Sequence, residues 1–187
     1  MKRMKNIVLI GFMGTGKTCV GQHLAQAMGW AFRDLDDEVE QAVGMSITDY
    51  FSRYGENGFR DREQEAVEKV AGMSPLVLAT GGGAVLRQVN VDRLRETGIL
   101  VCLSASVEEI VARTAAGTLR PLLNRPDRVQ AIQALLTERM SLYRQADIWV
   151  ETDGKSAAEV AGLILRRLRE EGRWNGNDTR ESGCEEL

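Results

Sequence analysis

The sequence predicts an α/β domain in which a parallel sheet is covered by helices on both faces. Short apolar runs alternate with helical patterns along the chain. Glycine-rich stretches follow two of these runs, and a pair of carboxylates follows a third. Such alternation is typical of parallel strands joined by crossover helices. In sheets of this kind, ligands bind beyond the carboxyl ends of the strands.

The individual elements follow from the apolar runs and the helical periods. The predicted strands are Ile7–Ile10, Ala31–Arg33, Leu76–Thr80, Ile99–Leu103 and Ile148–Glu151. The predicted helices are Val20–Met28, Asp36–Val43, Ser46–Tyr54, Phe59–Ala71, Asn90–Glu96, Val107–Ala115, Arg128–Ala146 and Ala157–Glu170. We expect residues 1–171 to form one domain. Residues 172–187 are polar and lack an apolar period, which predicts a disordered tail.

Composition restricts the partners. The 187-residue chain has a net charge of −3, which gives no basic field for nucleic acid. No apolar run approaches the roughly 20 residues of a membrane helix. The three cysteines, Cys19, Cys102 and Cys184, are far apart and form no CxxC pair, which fits a reducing cytoplasm. We therefore expect a cytoplasmic protein with no nucleic-acid or membrane partner, and we expect a monomer.

The stretch from Gly11 to Thr18 has the Walker A pattern between a buried strand and a helix, which is the setting the motif requires. Its glycines let backbone N–H groups surround an anion, and the helix N-terminus adds positive charge. Lys17 can reach the β- and γ-phosphates, and Thr18 can ligate Mg²⁺. A glycine-rich turn without a ligand is the alternative. The predicted nucleotide-binding residues here are Gly14, Thr15, Gly16, Lys17, Thr18 and Cys19.

Two carboxylates, Asp34 and Asp36, follow the second strand and share one face of an extended segment. One could serve the metal through water or take a proton, while the other accepts hydrogen bonds from a substrate hydroxyl. Alternatively, one of them only caps the next helix. The third strand ends without a Walker B aspartate. Asp34 is therefore the better carboxylate for Mg²⁺.

Arg60 and Glu63 have the (i, i+3) spacing that places them on one helix face. Glu63 could thus hold the guanidinium for a bidentate carboxylate, although a solvated surface ion pair is the alternative. Three glycines, Gly81, Gly82 and Gly83, follow the third strand. They remove side chains where something must approach the backbone closely.

A basic segment, residues 113–125, separates the fourth strand from the next long helix. Gly117 and Pro121 interrupt it, and its apolar period is poor. We predict a lid whose arginines close over the transferring phosphoryl group. An exposed loop with incidental charge is the alternative.

Seven segments together resemble the shikimate kinase family, a group of P-loop enzymes similar to nucleoside-monophosphate kinases. They are GFMGTGKT, the Asp34-x-Asp36 pair, GENGFR, ATGGGAV, LRPLL, ERMSLY and ETDGKS, in the family's order over roughly residues 7–168. The resemblance implies a three-layer fold with a five-stranded sheet in the order 2-3-1-4-5. It also implies transfer of the γ-phosphoryl group of ATP to the 3-hydroxyl of shikimate, with Mg²⁺ as cofactor.

The resemblance further implies residue roles. The implied catalytic residues are Lys17, Asp34 and Arg120. Thr18 and Asp34 would lie near Mg²⁺, with the carboxylate linked to the ion through water. The implied substrate-binding residues are Asp36, Arg60, Glu63, Gly81, Gly82, Gly83 and Arg139, with Phe51 and Phe59 as an apolar wall behind the ring. Arg60 and Arg139 would pair with the shikimate carboxylate. Further ATP contacts would come from Arg113, Arg120 and Lys155.

Two other interpretations stay open. The first is gluconate kinase or another small-metabolite kinase of the same fold, against which the glycine triplet and GENGFR weigh. The second is a nucleotide-dependent regulatory module without phosphoryl transfer. Intact Lys17, Asp34 and Arg120 weigh against the module.

Overall fold

The computed structural model describes residues 5–114 and 127–175. Within these ranges, five strands form one parallel sheet in the order β2-β3-β1-β4-β5. The strands are β1 (Asn6–Ile10), β2 (Ala31–Asp34), β3 (Leu76–Ala79), β4 (Gly98–Ser104) and β5 (Ile148–Glu151). Both the predicted fold class and the implied strand order are confirmed.

Seven α-helices lie in the described part of the chain, and none of them is long and apolar enough to cross a bilayer. They are α1 (Lys17–Met28), α2 (Leu35–Val43), α3 (Ile47–Ala71), α4 (Gln88–Thr97), α5 (Val107–Thr114), α6 (Arg128–Tyr143) and α7 (Ala157–Glu170). Two predicted ends were wrong by three residues. Helix α1 begins directly after the left-handed Gly16, and α6 ends at Tyr143, where tighter i→i+3 bonds replace the helical ones.

The long helix α3 contains the interruption that the sequence predicts. Two separate helices were expected around Gly55, and this residue has φ 70° and ψ −176° inside the α3 span. Ser46 caps the first part by accepting a hydrogen bond from the Asp49 N–H at 3.1 Å. The second part carries Arg60 and Glu63. The break at Gly55 therefore separates the capped start of α3 from the part that bears the predicted site residues.

Two apolar clusters cover the two faces of the sheet. Successive side chains of a strand point to opposite faces. Accordingly, Ile7 and Leu9 pack with α1 and α7, whereas Val8 and Ile10 pack with α2, α3, α4 and α6. The central strand is buried along its whole length, so the loop that follows it starts from a fixed point.

The chain stays packed beyond α7. The Trp174 side chain is buried against the cluster formed with α1 and α7, and the backbone N–H of this residue donates to the Leu168 carbonyl at 3.2 Å. The Arg169 guanidinium carbon lies 4.7 Å from the centroid of the Trp174 ring. This indole therefore adds apolar surface to the core three residues beyond the predicted boundary at residue 171. Residues 176–187 of the predicted tail lie outside the described residues.

Candidate active site

The loop between β1 and α1 forms a cradle of backbone groups. Gly11, Gly14 and Gly16 have φ values of 138°, 78° and 90°, which L side chains rarely adopt. Gly16 precedes α1 directly, and no side chain of the described residues caps this helix start. Open N–H groups and the positive end of the helix dipole favour an anion here. The geometry suits a phosphate chain.

Side chains of this loop bond mainly to the loop itself. The Nζ of Lys17 donates to the carbonyls of Gly11 and Phe12 at 2.9 and 2.8 Å, and the hydroxyl of Thr15 donates to the Phe12 carbonyl at 2.8 Å. Lys17 is buried, whereas Cys19 is exposed with a free thiol. A phosphate oxygen can replace these carbonyls as the partner of the ammonium, with a stronger, charge-assisted bond.

Asp34 joins the phosphate loop to the second strand. Its Oδ2 accepts a hydrogen bond from the hydroxyl of Thr18 at 2.8 Å, and its Oδ1 accepts one from the N–H of Asp36 at 3.1 Å. Asp34 does cap the next helix, because this residue is the N-cap of α2. The same carboxylate also faces the phosphate loop, so the two roles are compatible.

The oxygen atoms of Thr18 and Asp34 suit a magnesium ion. Both are hard ligands, and they lie 2.8 Å apart at the start of α1. Mg²⁺ usually keeps several waters and binds one or two carboxylates together with substrate phosphates. A hydroxyl and a carboxylate beside a phosphate cradle are a donor set of this kind.

The glycine triplet Gly81–Gly83 follows β3 and is fully buried. A Cβ added at Gly82 would lie 3.2 Å from the backbone nitrogen of Met13, so the triplet packs on the phosphate loop. A Cβ at Gly81 would lie 2.7 Å from Oδ1 of Asp36 and 3.3 Å from Oε1 of Glu63. The sequence predicts that some group approaches the backbone of the triplet closely. This prediction is confirmed for the protein's own Met13, Asp36 and Glu63.

Arg60 lies directly on this triplet. Its Nη1 donates to Oε2 of Glu63 at 2.7 Å, and its Nη2 donates to Oε1 of Glu56 at 3.2 Å. A Cβ at Gly83 would overlap the guanidinium. The side chain of Glu63 is 1% exposed, whereas that of Glu56 is 60% exposed. The predicted pair between Arg60 and Glu63 is therefore buried, and the alternative of a solvated surface pair is wrong.

Burial of the Arg60–Glu63 pair affects the pKa of the carboxyl group and leaves two polar atoms without hydrogen bonds. It raises the pKa of Glu63, and the neighbouring Arg60 opposes that rise. Among the described residues, Oε1 of Glu63 and Nε of Arg60 find no hydrogen-bond partner. Since buried polar atoms in native proteins are nearly always paired, these atoms indicate a place for a polar ligand or for water.

A second guanidinium reaches the triplet from α6. Arg139 is 6% exposed, and its Nη1 lies 3.4 Å from the carbonyl oxygen of Gly82. The hydroxyl of Tyr143 donates to the same oxygen at 2.7 Å. Within the described ranges, Nε of Arg139 also lacks a partner. Arg60 and Arg139 therefore converge on one short stretch of backbone, although they lie far apart in the sequence.

Aromatic rings flank both guanidinium groups. The rings of Phe51 and Phe59 are 4.6 Å apart, and Cζ of Arg60 is 5.2 Å from the centroid of Phe59. Cζ of Arg139 is 6.0 Å from the centroid of Phe12. Contacts of this kind attract cations weakly. The rings also make an apolar surface next to the charges, where the family resemblance implies a wall formed by Phe51 and Phe59.

Arg113 is fixed at the carboxyl end of β5. Its Nε donates to Glu109 at 2.8 Å, and its two terminal nitrogens donate to the hydroxyl and the carbonyl of Thr152, both at 2.9 Å. Lys155 is exposed, and its Nζ donates to the Asp153 carbonyl at 3.3 Å. Arg113 thus joins α5 to the loop after β5, where the resemblance implies adenine contacts.

Comparisons with known proteins agree with this arrangement. The shikimate kinase family model matches residues 13–169. A shikimate kinase of Thermodesulfovibrio yellowstonii is 46% identical over 163 residues, which is 87% of this chain and 94% of that protein. The chain belongs to the shikimate kinase family. A relative from Moorella thermoacetica, also a shikimate kinase, is 48% identical over 164 residues, which is 88% of this chain and 94% of that protein.

A solved member of the family has a closely similar structure. Shikimate kinase from Acinetobacter baumannii in complex with shikimate superimposes with a TM-score of 0.87 at 40% sequence identity. The match covers 90% of this chain and 94% of that one. The similarity therefore extends over most of both chains.

Most residues that the family resemblance implies for the acceptor are gathered at one place. Those near the glycine triplet are Asp36, Arg60, Glu63 and Arg139, with Phe51 and Phe59 beside Arg60. Arg113 lies elsewhere, at the end of β5. Arg120 and residues 115–126, which make up most of the predicted lid, lie outside the described residues.

Three residues of this region were given no role at the sequence level. Glu56 and Tyr143 lie four residues from Arg60 and Arg139, respectively, and that spacing puts them on the same helix faces. The spacing was thus an available signal for both. Thr152, which holds Arg113, gave no such signal, because its partner is 39 positions away in the sequence.

Proposed function

We propose that this protein transfers the γ-phosphoryl group of ATP to the 3-hydroxyl of shikimate. The observation that carries the proposal is the convergence of Arg60 and Arg139 on a glycine triplet that packs on the phosphate loop. A donor site for phosphate and a cationic acceptor site then share one wall. An acidic, hydroxylated ring fits this combination.

Arg60 and Arg139 hold the acceptor's carboxylate in this proposal. A planar guanidinium binds a carboxylate through two parallel hydrogen bonds, and both arginines have a buried Nε without a partner in the described structure. Glu63 fixes Arg60 from the buried side at 2.7 Å. The side chain is thereby pre-ordered, which lowers the entropic cost of binding.

Asp36 orients the acceptor's hydroxyl groups. Its Oδ1 lies against Gly81, on the same triplet that the two arginines reach. An ionised carboxylate only accepts hydrogen bonds, so Asp36 selects a substrate that offers hydroxyl donors at that end. The combination of guanidinium and carboxylate groups distinguishes the two ends of the acceptor.

The reacting groups lie at the phosphate loop. Lys17 moves from the loop carbonyls to the β- and γ-phosphates and stabilises the charge that they carry in the transition state. Asp34 receives the hydroxyl of the acceptor, as a base or as a positioning group. Thr18 and Asp34 would hold Mg²⁺. When bound, the ion would neutralise negative charge at the transferring phosphoryl group.

A substrate panel tests the proposal directly. ATP and Mg²⁺ are combined with shikimate, gluconate or nucleoside monophosphates, and product formation is followed by phosphorus NMR. We expect phosphorylation of shikimate alone. Turnover of gluconate instead would establish the rival kinase interpretation. Nucleotide binding without turnover on any acceptor would favour the regulatory module and overturn the proposal.

A further inference from the structure

Within residues 5–114 and 127–175, two side chains approach the carbonyl of Gly82 as hydrogen-bond donors, and both come from one face of α6. The hydroxyl of Tyr143 lies 2.7 Å from this oxygen, and Nη1 of Arg139 lies 3.4 Å from it. Tyr143 is 2% exposed, so water does not compete for the carbonyl from that side. The shorter contact is a strong hydrogen bond, whereas the longer one is at the limit of hydrogen bonding.

The phenol is a permanent donor in this position. Burial raises the pKa of Tyr143 to about 12, although the adjacent Arg139 acts in the opposite direction. The hydroxyl therefore keeps its proton across the working range of an enzyme. A buried carbonyl needs a partner, and Tyr143 supplies it without using the charge of Arg139.

We propose that Tyr143 is a positioning residue that occupies the Gly82 carbonyl so that Arg139 stays available for the carboxylate of the acceptor. The inference rests on the proposed function, because it assumes that Arg139 binds this carboxylate. In this role Tyr143 acts through Arg139 and not by contact with a substrate. It satisfies the backbone oxygen that Arg139 would otherwise have to pair closely.

Removal of the hydroxyl leaves the Gly82 oxygen without its close donor. In Tyr143→Phe the Gly82 oxygen stays buried but loses its 2.7 Å donor. Among the described residues, the donor that remains is Nη1 of Arg139, 3.4 Å away, and leaving a buried acceptor unpaired is costly. The guanidinium then turns toward the backbone, and its geometry for a carboxylate is lost.

The test measures the affinities for shikimate and for ADP separately, by titration calorimetry on the full chain. We expect Tyr143→Phe to raise the Kd of shikimate roughly three- to tenfold, the range that corresponds to one ordinary hydrogen bond. The Kd of ADP should stay unchanged. Tyr54→Phe is the matched control, because this tyrosine is 56% exposed. Thermal unfolding verifies that each variant is folded.

A double-mutant cycle with Arg139→Ala separates positioning from general loosening. If Tyr143 acts through Arg139, Tyr143→Phe has no further effect on shikimate binding once Arg139 is absent. The neutral methyl ester of shikimate gives a second cycle, in which the effect of Tyr143→Phe should also disappear. Independent effects of the two substitutions, equal losses for shikimate and ADP, or the same loss for the ester would each overturn the inference.

The proposed function fails by a different result. If the wild-type protein neither binds nor phosphorylates shikimate, the substrate assignment is wrong before any variant is examined. If the wild type turns over shikimate and only the cycle is additive, the positioning role of Tyr143 is wrong and the function stands.

Discussion

The donor end and the acceptor end of this molecule are built in different ways. The donor end is a contiguous loop whose side chains bond to their own backbone, as Lys17 does with Gly11 and Phe12. The acceptor end takes its parts from distant elements, with Arg60 on α3 and Arg139 on α6. It also contains buried atoms without partners in the described chain.

The difference teaches where specificity resides. A cradle of backbone N–H groups recognises any phosphate chain, so it is transferable between substrates. Unpaired buried groups discriminate against ligands that cannot form hydrogen bonds with them. Each polar group left without a partner in the complex makes binding less favourable by its desolvation cost. We therefore expect substitutions at the donor end to act on rate and substitutions at the acceptor end to act on affinity for one ligand.

The largest expected effect is at the donor end. Lys17→Ala removes the ammonium that stabilises the transferring phosphoryl group and should lower kcat by about 10²–10³, a range typical for loss of one such group. The Kd of shikimate should stay within about threefold of the wild-type value, since Lys17 belongs to the phosphate loop and not to the acceptor site. Steady-state kinetics and calorimetry measure the two quantities. Lys5→Ala, at an exposed position, is the control.

Near-normal turnover in Lys17→Ala would remove this residue from the reaction. A loss of shikimate affinity as large as the loss of rate would show that the donor end also determines binding of the acceptor.

The next effect is at the acceptor end. Arg139→Ala deletes a buried guanidinium and should weaken shikimate binding by about 1.5–3 kcal/mol, the range for hydrogen bonds to charged groups, or roughly 10- to 150-fold in Kd. The Kd of ADP should not change. An unaltered shikimate Kd would show that the carboxylate is held elsewhere. Arg144→Ala, an exposed arginine on the turn after α6, serves as the control.

A smaller effect is expected from a single methyl group in the triplet. Gly83 has φ −106° and ψ 0°, which alanine can adopt, but its Cβ would overlap the guanidinium of Arg60. Gly83→Ala should therefore raise the Kd of shikimate by about tenfold by displacing one charged hydrogen bond. Gly162→Ala is the matched control, because nothing lies within 4 Å of a Cβ there. That control should be neutral or stabilise α7 by up to about 1 kcal/mol.

Equal shikimate Kd values for the two glycine variants would mean that Arg60 can leave the triplet without loss of binding. The placement of Arg60 would then be dispensable for the acceptor.

The smallest effect concerns pH. Burial raises the pKa of Tyr143 from 10.0 to about 12, so between these values the unfolded chain loses the phenol proton and the folded chain keeps it. The associated stability is complete below pH 10 and is lost as the pH rises toward 12. The stability advantage of the wild type over Tyr143→Phe should thus shrink by about 1 kcal/mol between about pH 9 and about pH 11.

Urea unfolding at both pH values measures that difference, and Tyr54→Phe should show no comparable trend. A constant difference between wild type and Tyr143→Phe would mean that the phenol is not sheltered from solvent in the folded protein.

Local patterns predicted most of the fold. The apolar runs located all five strands, and Gly55 marked the break in α3, because these signals depend only on neighbouring residues. The burial of Trp174 was not predictable in this way. A single indole in a polar stretch gives no period, and its partners lie on α1 and α7.

The site was predictable to different depths at its two ends. The phosphate loop is one motif, so its geometry followed from contiguous residues. The convergence of Arg60 and Arg139 came only from the resemblance to a family, since no spacing relates residues on two separate helices. The buried state of Glu63 was also beyond the sequence, because an (i, i+3) ion pair has the same pattern whether it is buried or solvated.

The contact between Gly82 and the backbone at Met13 has a consequence for inhibitor chemistry. A Cβ added at Gly82 would lie only 3.2 Å from the Met13 nitrogen, so the main chain of the glycine triplet rests directly on that of the phosphate loop. A compound that occupies both the phosphate site and the acceptor site would therefore need only a very short linker. A bulky linker at that point would push the two binding surfaces apart.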